Sequence, residues 1–390
     1  MLARPSELNL SNWRLPGNGQ WAFHHVREII PTEAITCAAD SAALVREINA
    51  DVDGLGVSGL DGAEWSLQRW LDESCSDALL VAHRGKLVHE WYVDADIEVN
   101  PHIVFSVSKS MTATLAGVLV EKGLLDPARP VIDYLPELAG SGYADASLQQ
   151  VLDMEVSTDF KEDYLATSGP FVEYRTATAW HPCGVDQIDN NLHDFLCSVG
   201  RGDGKHGVRF EYKSPNSDLL GWVLERVSGE RLAQLFSRYL WQPMGAEASG
   251  YITVDRKGNP RSAGGICVLP RDLLRFGELV RNRGRANGQQ VIPASWIEDC
   301  SDGGSLETWQ AGESAKDFEA GSYRNKWYQT GNHHRAMLAI GIHSQYIYIN
   351  PVTEVTIVKL SAQDEPLRLD LDSINLQAFT RISNLVSGGD

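Results

Sequence analysis

The chain has no run approaching the roughly 18 consecutive apolar residues that a membrane-spanning helix needs. Its opening segment, MLARPSELNLSNW, lacks the apolar stretch of an export signal. Both absences predict a soluble, cytoplasmic protein. The six cysteines (Cys37, Cys75, Cys183, Cys197, Cys267, Cys300) form no C-x-x-C pair, so reduced thiols are expected rather than disulfides or a thiolate metal site. Basic residues are in deficit, and the formal charge of −18 argues against a nucleic-acid backbone as partner. Such a charge suits solubility and can also collect a cationic substrate. No internal repeat or low-complexity tract interrupts the chain.

Several constellations that carry chemistry are missing too. No G-x-S-x-G occurs, which argues against the nucleophile elbow of an α/β-hydrolase. The stretch Gly54-Leu55-Gly56-Val57-Ser58-Gly59 has dinucleotide-loop spacing, but the polar residues 47–53 before it are not a buried strand. His89-Glu90 lacks the second histidine of H-E-x-x-H. His24-His25 and His333-His334 are adjacent pairs whose side chains do not readily converge on one ion. No metal and no cofactor are expected.

What is present is enough for a large core, in one catalytic unit or two lobes. The chain has 390 residues, 43% of them hydrophobic and 22% charged. Residues 77–93 read as a hairpin turning at Arg84-Gly85-Lys86, rich in β-branched and aromatic side chains. A helix is predicted from Ser106 to Val120, with Gly123 as its stop and Pro127 beyond. Residues 130–200 read as short helices and loops, and a second long helix runs from about Asp218 through Leu235. Gly264-Gly265 precedes a strand and an amphipathic helix. A late hairpin, Leu338 to Leu360, turns at Asn350-Pro351, and Ser373 to Ser387 forms a closing helix.

Strands near both ends with helices between them predict an α+β fold whose antiparallel sheet joins distant segments. The expected organisation has three parts. Residues 1–35 form an N-terminal arm whose Trp13, Trp21 and Phe23 pack onto the body at the surface. Residues 36–105 and 250–390 carry the sheet, and residues 106–249 form a mostly helical region. The active site falls at the interface of the last two.

Ser106-Val107-Ser108-Lys109 opens the first long helix. Residues at i and i+3 on a helix have Cβ atoms about 5–6 Å apart, so the lysine amine can reach the serine oxygen. A serine hydroxyl is a weak nucleophile until something takes its proton. A lysine does so only if burial or a nearby positive charge lowers its pKa. The tetrapeptide alone also fits a solvated helix start. Three further stretches add weight: Glu162-Asp163-Tyr164, Phe210-Glu211-Tyr212-Lys213-Ser214-Pro215-Asn216, and Ile340-Gly341-Ile342-His343-Ser344-Gln345.

In this order and spacing the motifs resemble those of the serine β-lactamase/penicillin-binding-protein superfamily. The chain is most similar to its class C-like esterases and to 6-aminohexanoate-dimer (nylon-oligomer) hydrolases. The similarity runs along nearly the whole chain, including GLLDPARPVIDYLPELAGSGY and GGICVLPRDLLRFG. The resemblance implies a β-lactamase/transpeptidase-like fold, an antiparallel sheet flanked by helices, and a homodimer would suit this branch. It implies Ser106 as the acylated nucleophile, Lys109 as its base, and Tyr212 as the proton shuttle to the leaving group.

The usual second motif is Tyr-x-Asn. Here Ser214 takes the third position, so a hydroxyl supplies the supporting hydrogen bond. The third motif departs further, because Ala339-Ile340-Gly341 stands where penicillin-interacting members carry Lys-Thr-Gly. The missing lysine removes the cation that would hold a penicillin carboxylate. The glycine still lets backbone approach the substrate closely. The Ile342 N–H then pairs with that of Ser106 as an oxyanion hole. His343 is expected either to contact substrate or the tyrosine, or to be structural.

Tyr164 resembles the tyrosine that caps the scissile amide in nylon-oligomer hydrolases; a core aromatic is the alternative. The following loop, Ala166 to Trp180, is expected to rim the pocket. Arg175 stands where amide-cleaving relatives tend to carry an acidic residue for the substrate's ammonium group, with Glu173 close by. That speaks against an amine-terminated oligomer as the preferred substrate. Trp180 and Trp327 are expected to wall an apolar pocket or to be core. Ala263 joins Ser214 among the residues implied around the substrate.

The function expected is hydrolysis of small linear amides or esters through an acyl-enzyme. A β-lactamase or D-peptidase, and a non-catalytic acyl-binding sensory module, are the alternatives. Turnover of a plain ester lacking a β-lactam ring separates the first from both.

Overall fold

The computed structural model describes residues 3–41, 43–187 and 189–388. Residues 1–2 of the expected arm, 42 and 389–390 of the sheet region, and 188 of the helical region lie outside them. The main element is an antiparallel sheet of seven strands. In spatial order they are Ser322–Arg324, Trp327–Gln329, Met337–Gly341, Gln345–Asn350, Val355–Ser361, Ser76–His83 and Lys86–Tyr92. The pairing of Val355–Ser361 with Ser76–His83 joins the two ends of the chain. The expected antiparallel α+β layout is thus observed.

Strand periodicity of two divides this sheet between two cores. Leu80, Ala82, Ile347 and Val358 face the larger core, which holds the Val107–Glu121 and Pro270–Arg281 helices. Leu79, Val81, Tyr348 and Ile357 face the other, covered by Leu67–Glu73 and the closing helix Leu369–Ser387. Both faces being covered explains why these strands read as continuous apolar runs.

The first hairpin matches its sequence reading. Arg84 and Gly85 take φ values of 50° and 81°, the paired left-handed geometry of a tight hairpin turn. The late segment is more folded than a single hairpin. A second turn at residues 342–344 makes it a three-stranded meander, with His343 and Ser344 at φ 61° and 70°. The second long helix also differs: it spans Pro215–Ser228, ends at Gly229 with φ 70°, and resumes as Leu232–Phe236.

The Val107–Glu121 helix is the pillar of the molecule, buried at every residue from Val107 to Leu119. A helix buried on all sides must satisfy its polar groups internally. Thr112 and Thr114 donate to the carbonyls of Ser108 and Ser110, Ser110 donates to the Lys326 carbonyl, and the Ile266 N–H donates to Ser108.

A second, four-stranded sheet has the order Thr32–Ile35, Gly250–Thr253, Ile266–Val268, His102–Ile103. It delivers the chain to the pillar helix. Directly before the helix, Phe105 adopts φ 42°, a left-handed conformation that a bulky residue keeps only when its surroundings enforce it. Its ring is held between Trp13, Phe23, Trp180 and His343. The N-terminal segment therefore packs deeper than a surface arm: Trp13, Trp21 and Phe23 are buried beside Phe105. Among the described residues, no helix is long and apolar enough to cross a membrane. All six cysteines are free, and only Cys267 and Cys300 are buried.

Candidate active site

Ser106 sits at the mouth of the pillar helix, on the wall of a cleft of about 1510 Å³. Lys109, one helical turn on, is fully buried with its Nζ 2.7 Å from Ser106 Oγ. The same nitrogen donates to the Ala263 carbonyl at 2.7 Å. Burial brings Lys109 down to about 7; Glu162 and Asp218 oppose the shift and the Arg261 charge assists it. A neutral amine anchored through a proton to Ala263 turns its lone pair toward the serine hydroxyl. This is the arrangement a general base needs.

Tyr212 lies on the loop before the Pro215–Ser228 helix and lines the same cleft. Its ring centroid is 5.0 Å from Lys109 Nζ, and Ser106 opposes the rise that burial imposes on its phenol. Burial pushes that phenol up, so at neutral pH it holds a proton it can give. Ser214 does not act as a free hydroxyl in the cleft. Its N–H and Oγ both bind Glu162, at 2.8 and 2.5 Å.

Gly341 ends the Met337–Gly341 strand against the serine. A Cβ there would stand 2.7 Å from the Val104 carbonyl and 3.1 Å from the Ser106 nitrogen, so only glycine lets the strand close on the helix mouth. Ile342 follows in the turn and lines the cleft. Among the described residues, neither the Ser106 nor the Ile342 N–H is given to a backbone acceptor. Two uncommitted N–H groups, on two residues that line the same cleft, are the raw material of an oxyanion hole.

Tyr164 faces both the cleft and a smaller pocket behind Ser106 that also receives Arg175, Trp180, Ser214, Ala263 and Ile342. Burial and the Glu162 charge push its phenol well up. Arg175 lies on a helix, Pro170–Ala177, rather than in an irregular loop, and donates to the Ala166 carbonyl at 2.5 Å. The Trp180 indole donates to Thr253 at 3.0 Å and walls the small pocket.

Two expected residues stay out of the site. Trp327 is core: it is fully buried, stacked 6.2 Å from Phe276, and lines neither cavity. Strand alternation is the reason, for it turns Trp327 and Gln329 inward and presents Tyr328 to the cleft. His343 is structural. Its Nδ1 lies 2.6 Å from the Gln363 carbonyl, its ring packs 5.1 Å from Phe23 and Phe105, and burial lowers it to about 4.

Sequence reading missed the residues that hold the catalytic groups in place. Asp218 accepts from the Ala263 N–H at 2.8 Å and from Tyr174 at 2.5 Å, and pairs with buried Arg261. It thereby fixes the carbonyl that anchors Lys109. A lone carboxylate one turn into an apolar helix (Pro215-Asn216-Ser217-Asp218-Leu219-Leu220) was the available signal. Glu162 was visible only as a neighbour of Tyr164.

Among the described residues, one buried set has spacing suited to a metal ion: His24, Asp77 and His102, with ligand atoms within 4.8 Å of one another. His24 converges with distant residues rather than with His25. His102 lies 3.1 Å and His24 3.5 Å from the Asp77 carboxylate. Burial raises Asp77, but the bonds from His102 and His24 outweigh it and hold it below its ordinary value. The set lines neither cavity, and it ties the N-terminal segment to the sheet.

The Beta-lactamase family model matches residues 72–379. The 6-aminohexanoate-dimer hydrolase of Paenarthrobacter ureafaciens is 35% identical over 364 residues, 93% of this chain and 90% of that protein. A solved Bacillus anthracis structure, provisionally assigned as a 6-aminohexanoate-dimer hydrolase, covers 100% of both chains with a TM-score of 0.91 at 24% identity. A family VIII carboxylesterase structure matches 77% of this chain and 91% of its own, with a TM-score of 0.56 at 14% identity. These two structures share the fold. The chain is a hydrolase that belongs to the β-lactamase family.

Proposed function

We propose that this protein cleaves small linear amides or esters through an acyl-enzyme on Ser106. The observation that carries the reading is the buried Lys109 amine, brought to about 7 and held 2.7 Å from Ser106 Oγ. A lysine in that state is a base at neutral pH, whereas an ordinary lysine is an ammonium ion. The active site lies where the sheet and the helical region meet.

In the first step Lys109 takes the hydroxyl proton as Ser106 Oγ bonds to the substrate carbonyl carbon. The Ser106 and Ile342 N–H groups stabilise the oxyanion. Tyr212 then protonates the departing amine or alkoxide as the tetrahedral intermediate collapses to an ester on Ser106. Water adds to that ester, giving a proton to the Tyr212 phenolate, and the Lys109 ammonium returns its proton to Ser106 Oγ as the ester bond breaks and the acid is freed. Tyr164 lines the cleft with Ser106 and Tyr212, and a phenol there can hydrogen-bond a leaving nitrogen, which supports amide as well as ester cleavage. The 6-aminohexanoate-dimer hydrolase activity named for the Paenarthrobacter relative points the same way.

The test compares purified wild type with Ser106→Ala on p-nitrophenyl butyrate and on the 6-aminohexanoate linear dimer. Ester cleavage lost in the variant supports the reading, and dimer cleavage extends it to amides. Undiminished turnover by Ser106→Ala would refute it.

A further inference from the structure

The small pocket behind Ser106 has an unusual charge for this chain. Its lining includes three guanidinium groups, Arg14, Arg175 and Arg261, against one carboxylate, Glu162. Glu162 already has both oxygens bound to Ser214. Arg261 is answered by Asp218 from outside the pocket. Arg14 has the rings of Trp13 and Trp180 at 5.3 and 5.8 Å, and Arg175 has the Phe171 ring at 5.3 Å, but neither forms an ion pair among the described residues. The exposed Asp163 acts on Arg175 only through space. The Nε atoms of all three arginines are shielded from solvent without a hydrogen-bond partner.

Converging cations with unspent donors are costly unless something anionic joins them. Burial and the charges of Arg175 and Arg261 pull Arg14 down to about 9. The overall charge of −18 has the opposite sign, so the positive site is local rather than a sample of the whole surface.

The two cavities also divide the substrate. Tyr212, the proton donor to the leaving group, lines only the large cleft, whereas Ser106 and Ile342 line both. The leaving group therefore occupies the cleft and the acyl part turns toward the arginines. The space inside is about 20 Å³, room for one water-sized atom, so a carboxylate would place one oxygen there while its chain stays at the mouth beside Ser106. We propose that this pocket is a carboxylate subsite for the acyl part, and that the preferred substrates are amides or esters of short dicarboxylic acids with one carboxyl free. The inference rests on Ser106 being the acylated residue.

The experiment measures kcat/KM by pH-stat for monomethyl glutarate and for methyl pentanoate. Wild type should favour the acid by about tenfold to hundredfold, the range of a charge-assisted hydrogen bond. Arg175→Gln and Arg14→Gln should each cut that ratio about tenfold or more, with thermal melts confirming that both variants are folded. Equal or slower turnover of the acid ester by an enzyme active on methyl pentanoate overturns the subsite and leaves the hydrolase reading standing. If neither ester is cleaved, calorimetry of glutarate with Ser106→Ala decides the subsite, and p-nitrophenyl butyrate decides the hydrolase reading separately. Binding that Arg175→Glu abolishes upholds it, and no binding overturns it.

Discussion

Titrating Lys109 in the folded protein separates a general base from a merely structural amine. Burial moves its pKa from 10.5 to about 7. At pH 7 about half of the molecules then carry the neutral amine, against about one in 3000 for an unperturbed lysine. Because the neutral form is the base, kcat/KM for p-nitrophenyl butyrate should rise with pH and level off above about 8. It should fall about tenfold per unit on the acid side, to about one-thirtieth of the plateau at pH 5.5.

Glu162 is a carboxylate that favours protonated Lys109. Glu162→Gln should therefore move the midpoint to lower pH, not higher. A stopped assay of initial rates between pH 5.5 and 9, with the buffers at one ionic strength, reads both effects. A flat profile, a rate that falls with pH, or a midpoint near 10 would refute the assignment of Lys109 as base.

Three further outcomes follow from the same geometry. Gly341→Ala puts a methyl 3.1 Å from the Ser106 nitrogen and 2.7 Å from the Val104 carbonyl. Loss of one oxyanion donor should lower kcat by about 10²–10³, and a kcat within twofold of wild type would show that Gly341 does not guard the donors. Tyr212→Phe should slow 6-aminohexanoate dimer cleavage by about 10²–10⁴ but p-nitrophenyl butyrate much less, because nitrophenolate leaves without a proton; equal losses would count against the tyrosine as acid. Trp327→Ala should cost about 3–5 kcal/mol in a urea melt, as a buried indole in the core should, and a loss under about 1 kcal/mol would contradict its placement.

The parts of the fold legible in the sequence were those written in local pattern. The Arg84-Gly85 turn and the apolar strands around it declare a hairpin. The helix after Ser106 and its stop at Gly123 are likewise visible in the chain. The turn at residues 342–344 was hidden because His343 and Ser344, not glycine or asparagine, take its left-handed positions. The motif residues Ser106, Lys109 and Tyr212 meet as their order suggests, because spacing on one helix and a neighbouring loop largely fixes them.

What the sequence left open was which way a side chain faces. Trp327 turned inward because the strand's two-residue period assigns its neighbour Tyr328 to the cleft, and a three-residue strand gives no pattern from which to read phase. Asp218, Arg261 and Tyr174 form one buried network from segments more than 40 residues apart in sequence, so no local signal links them. The same holds for His24 with Asp77 and His102. Arg14 reaches the pocket of Arg175 only through the fold of the N-terminal segment.

The central claim is that Ser106 carries the acyl group during turnover. Rapid acid quench of wild type during p-nitrophenyl butyrate hydrolysis, followed by peptide mass mapping, tests it most directly. A butyryl adduct confined to the peptide containing Ser106, absent in Ser106→Ala and formed more slowly at pH 5.5 than at pH 8, is the predicted result. An adduct on another residue, or ester turnover that persists in Ser106→Ala, would contradict it.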